Sequence, residues 1–172
     1  LYDNGIDVSA WAKLYSKTLF SDIKFPEGRL YEDAATTYKL IDRAGRVSLN
    51  SKVIYNYMIR SNSIAAGAFS PKKMDLITST KEMCDFVTCK YPALENAASR
   101  RLAYAYLSTL SQLAQSKTAF PNEQKTLMSY LKANGSSILK DKSVPLRDKL
   151  GIVSAKFGFG FYKFVWSLYC KA

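Results

Sequence analysis

Apolar residues recur every three or four positions between residues 94 and 113, and this period constrains the fold more than any other feature of the chain. These residues are Leu94, Ala98, Leu102, Tyr106, Leu110 and Leu113. Residues at this spacing share one side of an α-helix, while polar residues such as Arg101 and Ser108 fall elsewhere around its axis. The pattern predicts an amphipathic helix of about five turns that buries one side.

Start and stop signals predict helices on both sides of this one. Ser70-Pro71 is typical of a helix start, because proline is favoured at the first helical position. A later helix is predicted from about Asn122 to Ala133, ending at Asn134-Gly135, a sequence that favours a left-handed C-terminal residue. Residues 70–144 are therefore expected to be helical.

The first 64 residues have a mixed pattern. A turn at Pro26 and Gly28 precedes a predicted helix from Glu32 to Leu40. Residues 47–59 are rich in β-branched and aromatic side chains, which predicts strands around Asn50-Ser51. The segment from Ser61 to Phe69 is predicted to be a loop.

The residue types present exclude several kinds of site. The chain has no histidine, so Ser-His and Cys-His nucleophilic sites and histidine-based metal centres are excluded. The three cysteines, Cys84, Cys89 and Cys170, form an odd set without a CxxC spacing. This argues against a disulfide framework or a zinc knuckle, and it favours packed or surface thiols in a reducing compartment.

Positive charge is concentrated in the second part of the chain. The net charge is +11, and residues 1–64 hold nine basic and seven acidic side chains, whereas residues 65–172 hold sixteen and seven. A basic excess of this kind fits nucleic acid, anionic lipid or phosphorylated small molecules equally well.

Basic and bulky apolar residues alternate in residues 145–172. The aromatic members are Phe157, Phe159, Phe161, Tyr162, Phe164, Trp166 and Tyr169. The segment is too short and too charged to span a bilayer. A helix packed on the domain, a helix lying on an anionic membrane surface and a nucleic-acid surface all remain open. Nucleic acid is the least favoured, because the aromatic residues lack the Gly-rich or repeated context of RNA-binding sheets.

Four motifs occur in order near the beginning of the chain. They are Trp11-Ala12-Lys13-Leu14-Tyr15, Phe25-Pro26-Glu27-Gly28, Glu32-Asp33 and Arg60-Ser61-Asn62-Ser63-Ile64. Their order and spacing resemble the second half of a family 2 glycosyltransferase catalytic domain, which has the GT-A fold. One departure is Met58, which stands where members of the family often have a further arginine.

The resemblance implies an α+β fold that is mostly helical. Residues 1–69 would be the acceptor-side, C-terminal half of a GT-A (Rossmann-like) α/β domain, whose nucleotide-binding half is expected upstream of Leu1. Residues 70–144 would be a helical extension, and residues 145–172 a basic, aromatic, amphipathic tail. The isolated chain is expected to be inactive.

The resemblance also implies roles for individual residues. Asp33 would be the base that takes the proton from the acceptor hydroxyl, a step that makes a sugar hydroxyl nucleophilic enough to attack the anomeric carbon. Glu32 would contact the acceptor or orient the loop. Trp11 would lie under the acceptor sugar, and Lys13 near the leaving diphosphate.

Arg60 and Ser63 would belong to a loop near the nucleotide sugar, where the arginine neutralises charge on the leaving group. Structural roles compete with these assignments: acids at a helix start also answer the helix dipole, and a loop arginine is often simply exposed.

The reaction implied is inverting transfer from a nucleotide-diphosphate sugar to a hydroxyl of a saccharide or lipid-linked glycan. A divalent metal, Mg²⁺ or Mn²⁺, is expected as cofactor, but no D-x-D occurs and its ligands are expected mostly in the N-terminal half. The expected location is the cytoplasm, peripherally on the inner face of the membrane. The alternative is a non-catalytic helical module that binds an anionic membrane surface.

Overall fold

The structure is a computed structural model that describes residues 8–50, 52–53, 55–56, 58 and 67–169. Within these residues the regular elements are α-helices joined by irregular segments and short 3₁₀ turns. The helices are α1 (Glu32–Arg43), α2 (Asp75–Lys90), α3 (Glu95–Ala114), α4 (Pro121–Lys140), α5 (Leu146–Lys156) and α6 (Phe159–Tyr169).

Local sequence signals determine where most of these helices begin. Ser70-Pro71 opens a 3₁₀ turn, Pro71–Met74, that leads into α2, so the predicted start is confirmed. The helix predicted from the apolar period is α3. The predicted helix at Glu32 is α1, which ends with Arg43 in its last turn, where a cation answers the helix dipole.

α3 lies at the centre of the molecule and packs against α2, α4, α5 and α6. Leu107, Leu110 and Leu113 of α3 are buried in the main core with Leu127 and Leu131 of α4. The rings of Tyr106 and Tyr130 stack across the same interface, with centroids 3.6 Å apart. α3 therefore packs against its neighbours through more than the one apolar side that the sequence predicted.

α1 and α2 run side by side in the same direction. At their first turns, the backbone N–H of Leu30 donates to Asp75 Oδ2 at 3.0 Å. At their last turns, Lys90 Nζ donates to Asp42 Oδ2 at 2.6 Å. Because both starts meet and both ends meet, the pair is parallel, and the connection between the two helices must return along the molecule.

α4 does not end at Asn134-Gly135, and the predicted helix end is wrong. The helix continues to Lys140. A Cβ on Gly135 would lie 2.6 Å from Ile152 Cγ2, so this glycine is a point of close contact between α4 and α5. The absence of a side chain lets the two helices approach, and packing overrides the local C-terminal signal.

The predicted α+β fold class, with half of an α/β domain in residues 1–69, is also wrong. The described residues are helical and contain no strand, so they do not form half of a Rossmann-like GT-A domain. Val47, Leu49 and Val53, which suggested strands, are exposed, Val53 at 83%. β-branched residues favour a pleated, half-buried surface, and no neighbouring strand among the described residues offers one. Ile54, Tyr57 and Ile59 lie outside the described residues.

α5 and α6 pack on the bundle through one side each. Ile152 and Ala155 of α5 and Tyr162 of α6 are buried, and the Tyr162 hydroxyl donates to the Leu107 carbonyl oxygen at 3.4 Å. Among the described residues, none of the helices has both the length and the apolar character needed to cross a bilayer.

Two of the cysteines fit the expectation of packed or surface thiols. Cys84 is buried and Cys89 exposed, both as free thiols, and Cys170 lies outside the described residues.

Candidate functional site

The acid pair Glu32-Asp33 forms the first turn of α1, as the sequence predicted. Glu32 is exposed and Asp33 is half-buried. Asp33 Oδ1 accepts a hydrogen bond from the backbone N–H of Ala34 at 2.7 Å. The backbone thus holds the Asp33 carboxylate at the positive end of the helix.

The residue before this pair has an unfavourable backbone conformation. Tyr31 has φ +58° and ψ +41°, in the left-handed region, where a bulky side chain is uncommon. Ala12, between Trp11 and Lys13, has φ +54°. In the described part of the chain these are the non-glycine residues with positive φ; Ala12 lies in the Trp11 motif, and Tyr31 directly precedes Glu32-Asp33. Such strain concentrates at functional sites, because the surrounding structure holds a side chain where it is needed.

The Asp33 charge acts on two tyrosines, Tyr15 and Tyr31. Burial raises the pKa of Tyr15. The Thr37 side chain lowers this pKa, and the Asp33 charge raises it. Burial also raises the pKa of Tyr31, opposed by Gln112 and reinforced by Asp33. Both phenols therefore keep their protons and can donate hydrogen bonds.

The turn that precedes α1 is tied to α2. Gly28 has φ +72°, a conformation that glycine adopts without strain. Arg29 Nη1 contacts both carboxylate oxygens of Glu82 at 2.9 Å, and Leu30 donates its N–H to Asp75. These contacts between distant parts of the chain hold the turn, and with it Asp33, against the bundle.

Trp11 and Lys13 lie on the same segment as Tyr15. The Trp11 indole is 42% exposed and stacks on Tyr55, with ring centroids 5.1 Å apart. Lys13 Nζ donates to the backbone oxygen of Ser9 at 2.7 Å and contacts Ser9 Oγ at 3.3 Å. Trp11 is therefore a surface platform rather than a core residue, and the Lys13 ammonium is oriented by its local backbone.

Arg60 and Ser63 lie outside the described residues. Trp11, Lys13, Glu32 and Asp33 are the residues of the predicted site that the structure describes.

The described residues do not fit a divalent metal. Among them, no three His, Cys, Asp or Glu side chains converge in a group that could hold an ion. No residue in this part of the chain is assigned as a ligand for Mg²⁺ or Mn²⁺.

Tyr15 and Tyr31 were missed as site residues by the sequence predictions. Tyr15 is the last residue of the Trp11 motif, and Tyr31 directly precedes the acid pair. The positions of Tyr15 and Tyr31, in or next to the predicted motifs, were therefore a sequence signal for both residues. The effect of the Asp33 charge on Tyr15 depends on the fold of the segment before α1, which the sequence pattern does not show.

Comparisons with known proteins give a coarse indication of function. The chain is 36% identical over 58 residues to a protein described as "Glycosyltransferase GlyA" from Streptococcus pneumoniae serotype 4. The similarity covers 34% of this chain and 8% of that protein, so the chain corresponds to a small part of its relative's length. A scan against protein-family models gave no match. A search of solved structures also gave no match. The similarity hints at glycosyl transfer without establishing a family.

Proposed function

We propose that this chain is the acceptor-side segment of an inverting glycosyltransferase, with Asp33 as its general base. The observation that carries the proposal is the placement of Asp33, half-buried in the first turn of α1, where its charge acts on the protonated phenols of Tyr15 and Tyr31. The partial similarity to a glycosyltransferase and the order of the four motifs support the same chemistry.

The reaction would begin with a hydroxyl of a saccharide or lipid-linked glycan beside Asp33. As the hydroxyl oxygen attacks the anomeric carbon of a nucleotide-diphosphate sugar, its proton passes to the Asp33 carboxylate. The bond from the anomeric carbon to the diphosphate breaks, and the diphosphate leaves with the bonding electron pair. Attack on the side opposite the leaving group inverts the anomeric configuration.

Neighbouring residues would bind and orient the acceptor. The exposed face of the Trp11–Tyr55 stack offers a flat surface for a sugar ring. Tyr15 and Tyr31 would donate hydrogen bonds to sugar oxygens, and Glu32 would contact the acceptor or orient the loop. Lys13, Arg60 and Ser63 would act on the diphosphate side, where positive charge and hydrogen-bond donors stabilise the leaving group.

Asp33→Asn in the complete protein tests the base. We expect turnover to fall by about two orders of magnitude, on the scale of lost general-base catalysis, because an amide cannot take the proton. Turnover is measured as release of nucleoside diphosphate from a panel of nucleotide sugars in the presence of glycan acceptors. Donor affinity, measured by calorimetry, should be unchanged.

Glu123→Gln is the matched control. Glu123 is an acid in the first turn of α4, so its loss weakens a helix-dipole interaction without touching the site. This variant should keep full turnover. If Asp33→Asn also keeps full turnover, Asp33 is not the base.

A further inference from the structure

α5 leaves one apolar side uncovered. Leu146, Leu150, Val153 and Phe157 are exposed, with Leu146 at 72% and Phe157 at 75%. Their spacing of four, three and four residues places them along a single line on the helix and its C-terminal residue. Exposed large apolar residues in a continuous line are unusual for a free surface.

The opposite side of α5 is the one that packs on the bundle. Asp148, Gly151, Ile152 and Ala155 are buried, and they lie half a turn away from the exposed line. The exposed side chains are therefore not needed for the core. Their apolar character has no explanation within the described fold.

α6 continues the same apolar surface. Phe161, Phe164 and Leu168 share one side of this helix and are exposed. The rings of Phe157 and Phe161 meet edge to face, with centroids 5.4 Å apart, and join the two lines. We call this surface the apolar face. It consists of Leu146, Leu150, Val153, Phe157, Phe161, Phe164 and Leu168.

Positive charge surrounds this surface. Residues 145–172 contain five basic side chains and one acid, Asp148. Asp148 is buried, and its Oδ1 lies 2.8 Å from Arg147 Nη2. By helical geometry, Lys149 and Lys156 flank the line on α5 on one side, and Lys156 Nζ donates to Ser136 Oγ at 2.8 Å. Arg147 lies on the other side and is paired with Asp148. Lys163 is exposed on α6.

We propose that the apolar face of α5 and α6 inserts into the interfacial region of an anionic lipid bilayer. The two helices would lie parallel to the membrane plane, with the apolar side chains at the acyl boundary and the lysine ammonium groups at the lipid phosphates. Lysine suits this position because its stem can cover apolar surface while its charge reaches the phosphates.

The charge pattern favours lipid over a second copy of the chain. In a symmetric dimer through the apolar face, the same cationic rim would lie on both partners, and like charges would oppose each other. An anionic lipid surface complements the basic side chains beside the apolar face, among them Lys149 and Lys163. The proposal is independent of the chemistry of Asp33, so Asp33→Asn should bind vesicles as the unchanged protein does.

Vesicle sedimentation tests the proposal. The protein is mixed with sucrose-loaded vesicles of phosphatidylcholine alone, or of equal parts phosphatidylcholine and phosphatidylglycerol. We expect binding to the anionic vesicles and much weaker binding to the neutral ones. Leu150→Ser with Phe164→Ser should lower the partition coefficient by about tenfold or more, because two apolar side chains no longer insert.

Two further variants separate apolar insertion from charge. Lys149→Gln with Lys163→Gln should weaken binding to anionic vesicles by about fivefold per lysine, and leave binding to neutral vesicles unchanged. Leu14→Ser with Leu94→Ser is the matched control, because both leucines are exposed outside the apolar face. The control variant should bind like the unchanged protein.

Several results would overturn the proposal. These are no binding to anionic vesicles, equal binding to both vesicle types, or equal loss in the control variant. A dimer in sedimentation equilibrium that Leu150→Ser with Phe164→Ser converts to monomer would show that a second copy covers the face. Circular dichroism verifies that each variant is folded. The lysine variant keeps the test decisive if the apolar variant does not fold.

Discussion

Gly135 and Tyr31 hold backbone positions that their residue types do not favour. Gly135 lies inside α4, where glycine costs about 1 kcal/mol relative to alanine, yet it is the point of contact with Ile152. Tyr31 has a left-handed backbone beside the candidate base. In each case a tertiary or functional requirement prevails over the local preference.

Gly135→Ala tests the packing explanation. The new Cβ would meet Ile152 Cγ2, an atom next to the backbone of a fully buried residue, so α5 must shift to make room. We expect a net loss of stability of about 1–2 kcal/mol, since overpacking outweighs the gain in helix propensity. Chemical denaturation measures the change.

Gly160→Ala is the comparison for Gly135→Ala. Gly160 is also helical, and a Cβ there meets nothing within 4 Å. Gly160→Ala should therefore stabilise the protein by about 0.5–1 kcal/mol. Equal effects at the two positions would contradict the role given to Gly135.

At the scale of elements, the parallel pair of α1 and α2 determines where the candidate site lies. The Arg29–Glu82 and Leu30–Asp75 contacts hold one end, and Asp42 with Lys90 and Tyr91 holds the other. Since Asp33 is in the first turn of α1, the orientation of the Asp33 carboxylate depends on this pairing. Contacts far from Asp33 in sequence therefore position it.

The Asp42 contacts predict a pH-dependent contribution to stability. The hydrogen bond from Lys90, and then that from Tyr91, hold the pKa of Asp42 below its ordinary value. A lowered folded-state pKa means that the contribution is complete above the pKa of the unfolded chain. It is lost as the pH falls through the folded-state value.

Asp42→Asn should therefore destabilise the protein near neutral pH by about 1 kcal/mol, the upper range for a partly exposed ion pair. The difference from the unchanged protein should shrink as the pH falls below about 4 and vanish below the folded-state pKa of Asp42. Thermal unfolding of both proteins from neutral pH to below about pH 4 measures this difference in stability. Asp22→Asn, which breaks the more exposed pair with Arg43, should have a smaller effect. A loss that is constant with pH would contradict the assignment.

At the scale of the whole molecule, α3 organises the bundle. Four helices pack around it, and Tyr162 from near the end of the chain reaches its backbone. The exposed β-branched residues of the segment after α1 take no part in the described core. The described molecule is thus a helical bundle with an extended segment on its surface.

This architecture predicts the infrared spectrum of the isolated chain. The amide I band should be that of a helical protein, without a β-sheet component, because the described residues form no strand pairs. A distinct sheet component would show that the segment from Val47 to Met58 pairs with other residues in solution.

The sequence by itself determined the features that depend on neighbours along the chain. The apolar period of α3, the start at Ser70-Pro71 and the acid pair at the start of α1 were all predicted correctly, because each depends on residues within a few turns. Tertiary structure decided the rest. Whether Val47 and Val53 form strands depends on a neighbouring strand, and whether α4 ends at Gly135 depends on Ile152 of another helix. Likewise, only the folding of the segment before α1 brings Tyr15 within reach of the Asp33 charge. Pairing and packing join residues distant in sequence, so a local pattern cannot specify them.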